Sequence, residues 1–146
     1  MPVDVTTAIT IDRPVAVVAE YAGDPERAPE WYVNISAVQA RTPPPHTAGS
    51  LLTFHARFLG RDLTYTYRVV EHVPGERLVM RTADGPFPME TTYTWQAVDA
   101  DRTRMTLRNR GEPSGFGRLL APFVARAMRH ATTQDLRRLK GVLEAG

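Results

Sequence analysis

Few side chains in this sequence have the chemistry to make or break a bond, and those that do are spaced for no familiar catalytic device. There is no cysteine, which excludes thiolate catalysis, disulfides and Cys-based zinc sites. The histidines His46, His55, His72 and His130 include no i, i+4 helical pair, so no metal site is expected. Ser36, Ser50 and Ser114 lack a nucleophile-elbow context. Gly115-x-Gly117 matches no nucleotide fingerprint, and no cofactor is expected. Glu112 and Asp135 would act as acid or base only if they reached an interior, and Asp135 is expected to pair with an arginine on a helix flank. What remains are the hydroxyls and amides of Tyr65, Tyr67, Tyr93, Asn109 and Gln134. Such groups orient a carbonyl or phenol by hydrogen bonding; the plainer alternative is that they bond one another or the backbone.

These polar groups interleave with apolar side chains at strand spacing. By alternation the inward sets are Leu52, Phe54, Ala56 and Phe58, then Leu63, Tyr65, Tyr67 and Val69. Leu78, Met80 and Thr82 follow, then Met89, Thr91, Tyr93 and Trp95, and finally Met105, Leu107 and Asn109. Phe123, Ala127, Met128, Ala131 and Gln134, on a helix, are expected to face them, with Trp31 near one rim. The expected ligand-contacting set is therefore Trp31, Phe54, Tyr65, Tyr67, Met80, Tyr93, Trp95, Asn109, Phe123, Ala127 and Gln134. Alanines opposite large aromatics favour open space between sheet and helix.

The elements that must position these groups are legible in order. Val3 to Ile11 alternates as a half-buried strand. Asp12 is a candidate N-cap for a short helix from Val15 to Tyr21, and Asp24 with Pro25 opens a second that runs to about Trp31. Six further strands follow, at Ile35 to Arg41, Ser50 to Phe58, Leu63 to His72, Arg77 to Ala83, Met89 to Val98 and Thr103 to Arg110. Short turns between them imply antiparallel neighbours, and a turn at Asp99 to Arg102 would set Trp95 opposite Met105, Tyr93 opposite Leu107 and Glu90 opposite Arg110. A connector from Gly111 to Gly117, read as a hinge or gate, leads into one long helix from about Phe116 to Leu143. The fold class is thus α+β: a seven-stranded curved antiparallel sheet wrapped round a long C-terminal helix, with two short helices between strands 1 and 2. A curled sheet cannot touch a straight helix everywhere, so a cavity is expected between them.

Length and composition set the bounds. The 146 residues suit a single domain spanning 1–146, and 42% hydrophobic with 23% charged residues is globular composition. Net charge is only +2, nearly every base is arginine, and no nucleic-acid partner is expected. The stripe Arg102, Arg104, Arg108, Arg110 reads as a solvated sheet face or a surface for an acidic protein. No run approaches the ~18 apolar residues of a membrane span, and no signal-peptide core is visible, so a cytoplasmic protein is expected.

Ile11-Asp12-Arg13-Pro14 leading into Val15-x-x-Val18, Tyr67-Arg68-Val69-Val70-Glu71 running into Pro74-Gly75-Glu76-Arg77-Leu78, and the ending Leu136-Arg137-Arg138-Leu139-Lys140-x-x-Leu143 carry a resemblance. Over essentially its whole length the chain resembles the START-like (SRPBCC) superfamily, and within it the bacterial polyketide cyclase/dehydrase-type proteins. The resemblance implies a helix-grip fold with a hydrophobic pocket for lipids, polyketides or aromatic compounds. It implies no catalytic residue. Three functions stay open: binding or transport of a small apolar molecule, cyclase/aromatase-type catalysis on a poly-carbonyl substrate, and a protein-interaction module similar to chaperone activators. Oligomeric state is not legible.

Overall fold

Strict alternation in Val3–Ile11 (β1) puts Val3, Val5 and Ile11 into the core and leaves Asp4 and Thr6 in water. The computed structural model that shows this describes residues 3–112 and 121–146. After β1 come helix α1 (Val15–Ala22), a 3-10 turn (Pro25–Arg27) and helix α2 (Ala28–Trp31). Strands β2 (Ile35–Ala40), β3 (Leu51–Phe58), β4 (Arg61–Val73), β5 (Arg77–Asp84), β6 (Met89–Asp99) and β7 (Arg102–Gly111) follow, and α3 (Ala121–Ala145) closes the chain. The seven strands form one antiparallel sheet in the order β1-β7-β6-β5-β4-β3-β2, so the helical segment after β1 carries the chain from one sheet edge to the other.

The expected β6–β7 register is present: Trp95 pairs with Met105, Tyr93 with Leu107 and Glu90 with Arg110. Register shifts interrupt the ladders at Ile35/Ala37, Thr66/Tyr67, Val69/Glu71 and Ala97/Asp99. Such bulges sharpen local twist and bend the strands that carry them, which curls the sheet toward α3.

Two local expectations are corrected. Pro14, not Asp12, is the N-cap of α1, with no side-chain capping bond, while the Asp12 backbone N–H donates to Glu144 in α3. Asp24 does cap its turn, accepting from the Glu26 N–H at 3.1 Å. The β3–β4 hairpin turns at Leu59-Gly60, ahead of the expected break, because φ is positive at both (51° and 74°), the requirement of a tight two-residue turn. The expected helix start near Phe116 and the hinge at Ser114 lie outside the described residues.

The core has two parts. The larger joins Ile11, Val18 and Trp31 to the sheet through Leu78, Met80, Trp95, Met105 and Leu107, and to α3 through Leu136, Leu139 and Leu143. The smaller joins Val3, Val5 and Leu63 to Val124 and Met128 of α3. Each fully buried large aliphatic contributes about 1.5–3 kcal/mol relative to exposure. Lys140 and Arg129 donate to the carbonyls of Thr10 and Thr6, which fastens α3 along β1. Among the described residues, no helix is long and apolar enough to cross a membrane.

Candidate functional site

The seam between the two core parts does not close. A cleft of about 120 Å³ remains there, walled by β3, β4, the β5–β6 turn and α3. Leu63, Phe58, Phe87, Met89 and Met128 supply its apolar surface, and Tyr32, Tyr65, Tyr67, Thr132 and Asp135 its polar atoms. Ala56 and Ala131, with small side chains, leave space between the opposing walls.

Of the expected contact residues, Tyr65 and Tyr67 line this cleft. Several others point inward but pack into the core instead. Trp31 is 1% exposed and lies against the rings of Tyr32 and Tyr93, so it is a core anchor and not a rim residue. Phe54 stacks on Tyr65, Met80 is fully buried in the larger core, and Trp95 donates its indole N–H to the Met105 sulfur at 3.2 Å. Asn109 accepts from the Thr91 hydroxyl at 2.6 Å, which itself meets the Tyr67 hydroxyl at 2.8 Å. Ala127 is half-buried and is not among the cleft-lining residues. Phe123, 64% exposed, and Gln134, also exposed, face water, against expectation.

The phase of α3 explains these last two. Its buried line runs Val124, Met128, Thr132, Asp135, Leu139, Leu143, at steps of four and three, with Leu136 beside it. Phe123 and Gln134 stand one position off that line, turned roughly 100° away. The same phase carries Asp135 inward: it is 2% exposed, its Oδ1 accepts the Val33 N–H at 2.9 Å, and no arginine salt bridge to it forms among the described residues. Counting back four residues from Leu139 would have found it; its polarity hid it. Tyr32 was also missed, because it follows the last turn of α2 and belongs to no alternating strand.

Electrostatics single out this end of the cleft. Burial lifts the Asp135 carboxyl to about 6, against the opposing pull of the Val33 N–H and the Arg138 charge. Burial likewise raises the phenols of Tyr32, Tyr65 and Tyr93, with the Asp135 charge adding to each, and takes Tyr67 to about 12. All four are neutral hydrogen-bonding groups at neutral pH. The Tyr32 and Tyr93 hydroxyls satisfy each other at 2.5 Å, and Tyr67 is taken by Thr91. The Tyr65 hydroxyl has no hydrogen-bond partner among the described residues, although its ring is locked between Phe54 and Tyr67.

The arginine stripe on the outer face of the sheet is partly neutralised. Arg108 pairs with Asp4 at 2.6 Å, Arg102 with Asp99 at 2.8 Å, and Arg110 with Glu90 at 3.0 Å, a carboxylate that also serves Arg81. Surface pairs of this kind contribute little to stability.

A curled antiparallel sheet gripping a C-terminal helix over a largely apolar cleft with a few inward hydroxyls defines a helix-grip fold. The chain belongs to the family described as polyketide cyclase/dehydrase and lipid transport, which it matches over residues 2–144. Solved structures share the fold at low identity. The Zhui aromatase/cyclase from Streptomyces sp. R1128 superposes with a TM-score of 0.83 at 16% identity, over 99% of this chain and 94% of that one. TTHA0849 from Thermus thermophilus gives 0.83 at 20%, over 97% of each chain. A START superfamily protein from Mycobacterium smegmatis gives 0.81 at 15%, again over 97% of each. No curated protein sequence matches.

Proposed function

We propose that the chain binds a small, mostly apolar molecule carrying one carbonyl or hydroxyl oxygen, with the ring or chain in the cleft and the oxygen against Tyr65. One observation carries this reading: a rigidly held tyrosine hydroxyl with no protein partner among the described residues, in a cleft otherwise lined largely by hydrocarbon. A half-buried phenol without a protein partner gains a bond only from a guest or from water. At about 120 Å³ the cleft takes one aromatic ring, against about 150 Å³ for a closed cavity that accommodates benzene, and because it opens to solvent a second fused ring extends outward. The family's description, which spans lipid transport and polyketide chemistry, is consistent with such a site. A cytoplasmic carrier is the setting we infer.

The test is fluorescence titration with 2-naphthol and naphthalene. Wild type is expected to favour the naphthol, and Tyr65→Phe to lose that preference by about tenfold, one hydrogen bond's worth. Equal affinity for both probes in wild type and variant, or no binding of either, would overturn the reading.

Asp135 favours a second reading, in which the bound molecule is also transformed. A carboxyl that titrates at about 6 exchanges its proton readily at neutral pH and suits general acid–base work. With a ketone oxygen on Tyr65, Asp135 would take a proton from the adjacent carbon; the C–H electrons become the enolate π bond, and the proton returns in a later step. This is the opening step of an aldol-type cyclisation or a dehydration. Deuterium exchange at the central carbon of 1-phenyl-1,3-butanedione is expected to be accelerated by wild type and not by Asp135→Asn. Equal exchange in both would leave only the carrier.

A further inference from the structure

A second concavity, of about 520 Å³, lies outside the sheet–helix seam, between α1, the Pro74-Gly75 turn and the loop that joins β2 to β3. Its surface includes Glu20, Asp24, Glu26, His46 and His72. Ligand atoms of Asp24, Glu26 and His46 all lie within 4.8 Å of one another. Nothing in the linear spacing joins them: the 3-10 turn and its cap supply the two carboxylates, and the β2–β3 loop swings the imidazole over them.

We propose that this groove binds a divalent transition-metal ion through Asp24, Glu26 and His46, and that the ion clamps the β2–β3 loop to the turn after α1. His46 is the reason to read more than a surface ion pair. Its side chain keeps only 6% of its exposure, its Nε2 is turned into the cluster at 2.7 Å from the Glu26 carboxylate, and its Nδ1 is buried without a partner. The orphan Nδ1 lies on the far side of the ring from the carboxylates, so no hydrogen bond of its own anchors the ring and packing alone holds Nε2 toward Asp24 and Glu26. His72 braces the loop that carries His46, its Nδ1–H donating to the His46 carbonyl at 2.9 Å.

The charge balance fits a cation. Glu20, Asp24 and Glu26 are acidic; Arg27 divides itself between Asp24 at 3.7 Å and Glu30 at 3.6 Å, with its guanidinium over the Tyr21 ring at 5.1 Å, so one exposed cation faces three carboxylates and an ion would displace it from Asp24. One imidazole with two carboxylates selects ions of the zinc, cobalt or manganese type over magnesium or calcium, which prefer all-oxygen shells. Bond lengths of about 2.1 Å set ligand atoms about 3.4 Å apart, so carboxylate rotation of about 1 Å completes the set. On coordination the proton that Nε2 shares with Glu26 moves to Nδ1, which leaves the Nε2 lone pair for the ion.

The experiment uses untagged, chelator-stripped protein titrated with ZnCl₂ and MnCl₂ by calorimetry, with thermal melts alongside. Wild type is expected to bind one zinc ion and to melt higher with it. Glu26→Gln and Asp24→Asn, both at accessible side chains, are expected to weaken zinc by at least roughly tenfold, the scale found even for groups that only support a ligand. His46→Gln is expected to do the same, but its burial makes folding a concern, so the two carboxylate variants decide. His55→Gln, on β3, is expected to bind like wild type. No zinc binding by wild type, or binding that survives both carboxylate changes, would overturn the proposal.

Discussion

Replacing Asp135 with asparagine should make the protein more stable at neutral pH, and by an amount that depends on pH. The carboxyl rises from 3.8 to about 6 on folding because burial penalises its charged form. A folded-state carboxyl that holds its proton more tightly than the unfolded chain costs stability as pH rises: the penalty is small below about pH 4 and complete above about pH 6. Each tenfold change in proton affinity is worth ~1.4 kcal/mol, so linkage gives a cost of about 1 kcal/mol at about pH 4.5 and about 3 kcal/mol at about pH 7.5. Asparagine keeps an oxygen for the Val33 N–H and carries no charge, so its stability has no such slope. The stability gap between Asp135→Asn and wild type should therefore widen by about 2 kcal/mol over that pH range, which is about 4–8 °C in melting temperature for a chain of this size. Circular-dichroism melts of both proteins across the range supply the measurement, and subtraction cancels the other titrating groups. A gap that stays constant with pH, or that closes as pH rises, would refute the account of Asp135 as a desolvated carboxylate.

Three further outcomes are expected. Tyr67→Phe removes the hydroxyl that meets Thr91 and should cost about 1–2 kcal/mol in urea unfolding, since Thr91 and Asn109 stay in place with a bond missing. Leu139→Ala, at a site with no exposure in the larger core, should cost roughly 2–5 kcal/mol by the same assay; a loss under ~1 kcal/mol would mean that α3 is not held by this face. Ala131→Leu places a larger side chain in the cleft and should abolish naphthol binding while leaving the melting temperature within a few degrees, whereas undiminished binding would move the ligand elsewhere.

Strand register and strand faces were open to reading because each depends on local chemistry. Alternation fixes which side chains share a face, and the turn at Asp99 to Arg102 fixes which residues meet across it, so Trp95–Met105 and Tyr93–Leu107 pair as expected. The site was legible in part. Tyr65 and Tyr67 reach the cleft, but Phe54, Met80, Tyr93 and Trp95 share their face and are spent on packing. Parity says that a side chain points inward and not whether the space in front of it is filled. For α3, the hydrophobicity of Phe123 and the polarity of Asp135 each misled, because a helix is rigid and the leucines at 136, 139 and 143 set the phase for every residue before them.

By itself, then, the sequence determined the seven strands, the sequential pairing of strands 2 to 7, the terminal helix and the expectation of a gap between two curved surfaces, all consequences of period, turn residues and the need to bury apolar faces, whereas the seat of β1 beside β7 came from the tertiary structure. Tertiary structure alone decided where that gap lies, that Asp135 and Tyr32 open onto it, and that Asp24 and Glu26 meet His46 from distant parts of the chain. The physical reason is that volume and charge proximity belong to the assembled solid: neither is a sum over local preferences, and both appear only when distant segments stop one another from moving closer.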